Sequence, residues 1–196
     1  MKNETASEAI VLKTTPFKEN KVILHLFTKE FGLISAMVST KKSAYLSSMM
    51  LIEGVLKRGR GDFYTLTEPH ILDAFSNLRQ DFTLLQISAK LINTLSKTLV
   101  KDKPTPALFI LTKNTLKAFS KELCPKPLYH CFILKLLLFE GLLPLNPLEM
   151  NKDLSDDEGL NYLTLATAKS FKSLKALTIT PFLEKVIDEY VTFTLG

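Results

Sequence analysis

Residues 20–39, NKVILHLFTKEFGLISAMVS, decide the fold. Two β-branched, apolar runs, 22–27 and 33–38, flank the segment TKEFG. That composition predicts two strands joined by a short turn, with Gly32 supplying the permissive backbone. The first run is apolar at alternate positions (Val22, Leu24, Leu26) and also at Ile23 and Phe27, with His25 the one polar interruption. A strand apolar on both faces needs cover on both, or cover on one and a ligand on the other. The hairpin is therefore a core element whose outer face is a candidate for function.

Working outward, residues 8–14 (EAIVLKT) read as a preceding strand and 15–20 (TPFKEN) as a loop. After the hairpin, 40–50 (TKKSAYLSSMM) reads as a loop followed by a short helix. Residues 51–58 (LIEGVLKR) predict a fourth strand, 59–62 a turn, and 63–72 (FYTLTEPHIL) a fifth. Pro69 must fall near the edge or end of that strand, because it cannot donate to a ladder. Five short, closely spaced strands predict a small closed or partly open barrel.

From Asp73 onward the period changes from two to between three and four. Phe82, Leu85, Ala89, Ile92, Leu95 and Leu99 form an amphipathic helical stripe. Thr105-Pro106 is a helix start, and the helix it opens carries Leu108, Leu111, Leu116 and Phe119. Residues 127–140 (PLYHCFILKLLLFE) are apolar almost all round, which predicts a helix at the centre of a bundle, ended by Gly141. Residues 146–159 read as an acidic surface loop, and 160–177 and 181–195 as two closing helices. The predicted class is α+β: a barrel domain over 1–76 and a helical domain over 77–196.

Lys and Arg outnumber Asp and Glu by 25 to 20, a mild basic excess that is compatible with a polyanion but does not demand one. The two cysteines, Cys124 and Cys131, are too few for a disulfide scaffold and read as buried thiols. The N-terminus, MKNETASEA, has no apolar signal core, and the run 131–139 is far short of the ~20 residues that span a bilayer. The expected location is cytoplasmic, with no membrane contact. There is no Walker-type loop, since RGRGD lacks the Gly-Lys-Ser/Thr ending, and no metal cluster or nucleophile elbow, so no catalysis is expected.

Six segments in order carry a resemblance: Ile10-Val11-Leu12; 26–33 (LFTKEFGL); 40–43 (TKKS); 58–61 (RGRG); 72–81 (LDAFSNLRQD); and 134–144 (LKLLLFEGLLP). In this arrangement the chain resembles the RecO family of bacterial recombinational repair proteins over residues 8–144, and the resemblance fades beyond Pro144. The resemblance implies an N-terminal five-stranded OB-fold and an α-helical bundle domain. It also implies binding of single-stranded and double-stranded DNA, annealing of single strands, and, together with RecR, loading of recombinase onto strands coated by single-strand-binding protein, whose C-terminal tail is a further expected partner. Many family members carry a four-cysteine zinc site after the Gly-x-x-Pro segment. Here 145–159 holds neither Cys nor His, so no metal and no cofactor are expected.

An OB-fold commonly binds nucleic acid through strands 2 and 3 and the loops joining strands 1–2 and 4–5. In this chain that puts Phe17 and Lys18 in the first loop, and Lys57, Arg58 and Arg60 at the second. Lys41 and Lys42 follow strand 3. Cations neutralise phosphates and an aromatic ring gives a stacking surface. Core packing is an equal reading for Phe17, and a solvated hairpin turn is the plain reading of 58–60. The alternative function is an OB-type protein-interaction module whose helical half docks a partner, with DNA contact incidental.

Overall fold

The computed structural model describes residues 4–59, 61–121, 124–174 and 177–195. The elements are β1 (Glu4–Lys18), β2 (Lys21–Thr28), β3 (Gly32–Ser39), α1 (Thr40–Ser43), β4 (Leu51–Arg58) and β5 (Phe63–Asp73), then α2 (Asn77–Gln80), α3 (Phe82–Thr98), α4 (Pro106–Phe119), α5 (Pro125–Phe139), α6 (Pro147–Met150), α7 (Asp156–Thr167) and α8 (Pro181–Leu195). They form two compact units, Met1–Ser76 with Thr98–Lys113, and Asn77–Lys97 with Asn114–Gly196.

In the first unit the five strands close into a barrel in the order β1-β2-β3-β5-β4, all neighbours antiparallel except β3 and β5. This is the OB-fold. β1 is longer than its sequence suggests because it serves two partners. Its first half pairs with β4 from Glu4↔Lys57 to Ile10↔Leu51, and its second half pairs with β2 from Ala9↔Thr28 to Lys18↔Lys21. A bulge between Val11 and Lys13 bends the strand where it changes partner, and the bend lets a single sheet close. The segment expected as a loop at 15–20 is therefore strand up to Lys18. Pro16 is tolerated there because β1 has no β4 partner beyond Ile10. Alternate residues fill the interior, Val11, Leu24, Leu26, Ile34, Ile52 and Leu56 among them, each contributing about 1.5–3 kcal/mol by burial.

Two local expectations change. The short helix of 40–50 stands at its start as α1, because Ser39 caps it by accepting from the Lys42 N–H. Pro69 lies inside β5 at an irregularity of the β4–β5 pairing, next to Glu68 at φ +51°. Gly54, between the paired residues Glu53 and Val55 of β4, lies close under Leu66: a Cβ there would stand 2.6 Å from Leu66 Cδ1 and 3.2 Å from the Thr67 carbonyl oxygen, so Leu66 would have to shift. Residues 98–113 complete this unit. Lys101 bridges Leu33 in parallel, Phe109 packs edge-on against Phe27 at 5.5 Å, and Lys113 Nζ pairs with Glu8 at 2.7 Å.

In the second unit α5 is buried at every position from Leu128 to Leu134 and again at Leu136 and Leu137, as its all-round apolarity predicts. Gly141 (φ +73°) ends it: its own N–H donates to the Leu138 carbonyl and the Leu142 N–H to that of Leu137, a Schellman closure. Cys124 and Cys131 are thiols, the first half-buried; burial pushes the Cys131 thiol up to about 11. α3 keeps the predicted period and buries Ile92 and Leu95 of the predicted stripe, but toward its N-terminus the buried face is set by Leu84, Ser88 and Leu91, while Phe82 is 78% exposed. Adjacent leucines at 84–85 and isoleucine beside leucine at 91–92 give two faces of similar apolarity, and one residue of shift is a 100° rotation. The stretch 146–159 is not a loop throughout. Asn146 caps α6, and Ser155 with Glu158 forms a capping box that starts α7. α7 then stops at Thr167, and a 3-10 turn (Phe171–Leu174) follows instead of one continuous helix. Among the described residues no helix is long and apolar enough to cross a membrane.

Candidate nucleic-acid interface

Because Leu24, Leu26 and Ala36 point into the barrel, their neighbours along β2 and β3 point out. Cross-strand register then sets two rows on the outer face. One holds Lys13, His25, Ser35 and Phe63; the next holds Thr15, Ile23, Met37, Thr65 and Lys57. Ser35 Oγ lies 3.3 Å from His25 Nδ1. Burial, and secondarily the charge of Lys13, lowers the pKa of His25 below its ordinary 6.5.

Phe17 is not core. It is the extra residue at the second β1 bulge, between Pro16 and Lys18, and is 45% exposed. Its ring meets that of Phe63 at a centroid distance of 6.2 Å, with 36° between the planes. β1 and β5 do not pair, so this contact joins side chains that reach over intervening strands. Lys18 Nζ stands 5.5 Å from the Phe17 ring centre. Beside these rows Lys21, Met37, Lys42 and Thr65 line a concavity of about 240 Å³.

The cations named from sequence do not share one direction. Lys42 lines that concavity, and Lys41 is exposed on the same short helix. Lys57 points outward beside Thr65 and pairs with Glu4 at 3.2 Å. Arg58, the next residue, faces the opposite way: its guanidinium lies 5.7 Å from the ring centre of buried Tyr64, itself packed on Phe31 at the barrel mouth. Arg60 lies outside the described residues. Lys13 and Lys21, which sequence reasoning does not single out, complete the face. Of Phe63 and Tyr64, which alternation along β5 puts on opposite faces so that at most one can face a groove, Phe63 is the outward one and Tyr64 is buried. The signal for Lys13 was hidden by the bulge, which breaks simple alternation along β1.

A closed OB barrel followed by helices, with a cation-rimmed aromatic patch on its outer sheet face, defines the class. The family model described as "Recombination protein O N terminal" matches residues 1–75. The DNA repair protein RecO of Chlamydia pneumoniae is 32% identical over 143 residues, covering 70% of this chain and 57% of that protein. The proteins of the same name from Listeria monocytogenes serotype 4b (strain CLIP80459) and Caldicellulosiruptor bescii are 26% and 27% identical, over 70% and 69% of this chain and 56% and 57% of their own lengths. Residues 1–75 are thus a RecO-type N-terminal domain, and the chain is similar to DNA repair proteins RecO over about 70% of its length. It spans a little over half the length of the curated relatives it matches.

Proposed function

We propose that the protein is a non-catalytic mediator of recombinational DNA repair, which binds and anneals single-stranded DNA and, with RecR, helps load recombinase onto strands coated by single-strand-binding protein. The observation that carries this reading is the outer face of the barrel, where Phe17 and Phe63 are in ring contact, Lys18 stands over Phe17, Lys13 lies in the row of Phe63, and Lys21 and Lys42 line a neighbouring concavity. Cations of this kind hold phosphates, and exposed rings hold base faces. Annealing needs no chemistry beyond holding two strands with their charge screened. In this reading the barrel over 1–76 carries DNA contact through Phe17, Lys18, Lys41, Lys42, Lys57, Arg58 and Arg60. The helical region over 77–196 carries partner contacts, including that with the tail of single-strand-binding protein. The protein works in the cytoplasm.

The test is annealing of complementary strands coated beforehand with single-strand-binding protein, together with a salt titration of binding. Each phosphate contact to a single strand contributes a slope of about −0.7 in log K against log salt. Lys42→Ala with Lys57→Ala should flatten the slope by roughly 1.4, and Arg58→Ala with Arg60→Ala by as much. Affinity should fall equally for oligomers of different sequence, because backbone contacts carry little base information. Absence of annealing together with salt-independent binding would leave the interaction-module reading in its place.

A further inference from the structure

We infer that the Phe17–Phe63 pair is a stacking platform for an unpaired base, so that the barrel face grips single strands by their bases and lets them go as they pair. This rests on the proposed DNA-binding reading and names the chemistry that the face selects.

Three observations converge on it. Phe17 is nearly half exposed although it belongs to a strand, and its bulge position re-aims the side chain out of the alternation of β1. Phe63 also points outward, in register with Ser35 of β3, so the two rings form a shared apolar surface on the solvent side of the barrel. Met37, also outward-facing, is half-buried beside it, while Ile23 is buried. Lys18 stands 5.5 Å from the Phe17 ring centre, Lys21 pairs with Lys18 across the turn, and Lys13 lies in the row of Phe63. The neighbouring acids are Glu19, at the turn between Lys18 and Lys21, and Asp62, which pairs with Lys101 at 3.4 Å.

The ligand that matches apolar faces bordered by cations is a nucleobase on a phosphate chain. In a duplex each base face is already covered by its neighbours, so the platform has nothing to take. Duplex contact is then left to the cations alone. A strand held by stacking loses that contact as its bases join a partner strand, which frees the face during annealing.

The experiment compares three probes with the full chain: an oligothymidine carrying one central 2-aminopurine, an abasic oligomer of equal length, and a duplex of that length. On the wild type, binding should quench the 2-aminopurine. Phe17→Ala and Phe63→Ala should each weaken binding of the base-bearing strand by roughly 5- to 150-fold, the factor for one base–aromatic stack, without changing its salt slope. The abasic strand and the duplex should bind wild type and both variants alike. Phe63→Trp should restore affinity and quenching, which separates lost stacking from a disturbed fold. Wild type that binds the base-bearing and abasic strands equally, with no quenching, would overturn the platform and leave DNA binding intact. Equal losses for all three probes in the alanine variants would also overturn it. Wild type that binds no probe would remove the DNA-binding reading itself.

Discussion

The two ends of the β2–β3 hairpin carry the same pattern on their outer face and meet different fates. At the turn end, Phe27 is fully buried against Phe109, Leu33 is bridged by Lys101, and the backbone of Lys103 presses on Gly32. At the open end Ile23 is also buried, but its cross-strand partner Met37 is only half-buried and lines a concavity with Lys21 and Lys42, and Phe17 of β1 is 45% exposed. A strand apolar on both faces must be covered or must bind. This hairpin does one at each end, and the cover comes from a segment more than sixty residues further along the chain.

Removing a ring at each end separates the two fates. Phe27→Ala leaves a cavity beneath Phe109 and should cost about 3–5 kcal/mol. Phe17→Ala, at the solvent-facing end, should change stability by less than about 1 kcal/mol. Chemical denaturation of the two variants reads the difference directly. Similar losses at both ends would mean that Phe17 is a packing residue after all.

A smaller effect is expected at the glycines. Gly32 has φ +70°, and a Cβ there would stand 2.0 Å from the Lys103 carbonyl oxygen. Backbone strain and steric conflict add, so Gly32→Ala should cost about 2–4 kcal/mol. Gly141 has φ +73° but nothing within 4 Å of such a Cβ, so Gly141→Ala carries the strain alone, about 1 kcal/mol. Equal midpoint shifts in the two variants would argue that 98–113 does not press on the turn.

The contrast between the ends also shows where sequence reasoning reaches. Strand number, the Gly32 turn, the all-round burial of α5 and the Gly141 stop are local properties, and each is legible from composition and period. Non-local facts are not. Alternation along β1 cannot reveal its change of partner at the Val11–Lys13 bulge, so Phe17 and Lys18 read as loop residues and Lys13 goes unnoticed. Period alone cannot choose between two apolar faces of α3, so Phe82 is assigned to a buried stripe it does not join. Of the site, residue types and approximate positions are legible. Alternation within a predicted strand already sets Lys57 and Arg58 on opposite faces, but which of the two shares the outer face with Thr65 follows only once the barrel register is known.

The finest probe of the open end is proton linkage at His25. Its folded-state pKa is lowered, first by burial and then by Lys13, so the native state favours the neutral ring. Above pH 6.5 the folded and unfolded rings are both neutral and stability does not respond. As pH falls below that value the unfolded chain takes up the proton first. Stability should then decline, levelling only once the folded ring protonates as well. DNA binding should move the other way. A protonated His25 adds a cation to the row with Lys13, and phosphates that favour it draw the proton on binding, so affinity should rise through the window in which stability falls. The gain is bounded by about one phosphate contact, a steepening of the salt slope by roughly 0.7. Salt titrations of wild type and His25→Gln at about pH 5.5 and about pH 7.5 measure it. The wild-type slope should steepen at the lower pH and the variant's should not. A wild-type slope that stays constant would place the phosphate path away from His25, toward the Lys21 and Lys42 side of the face.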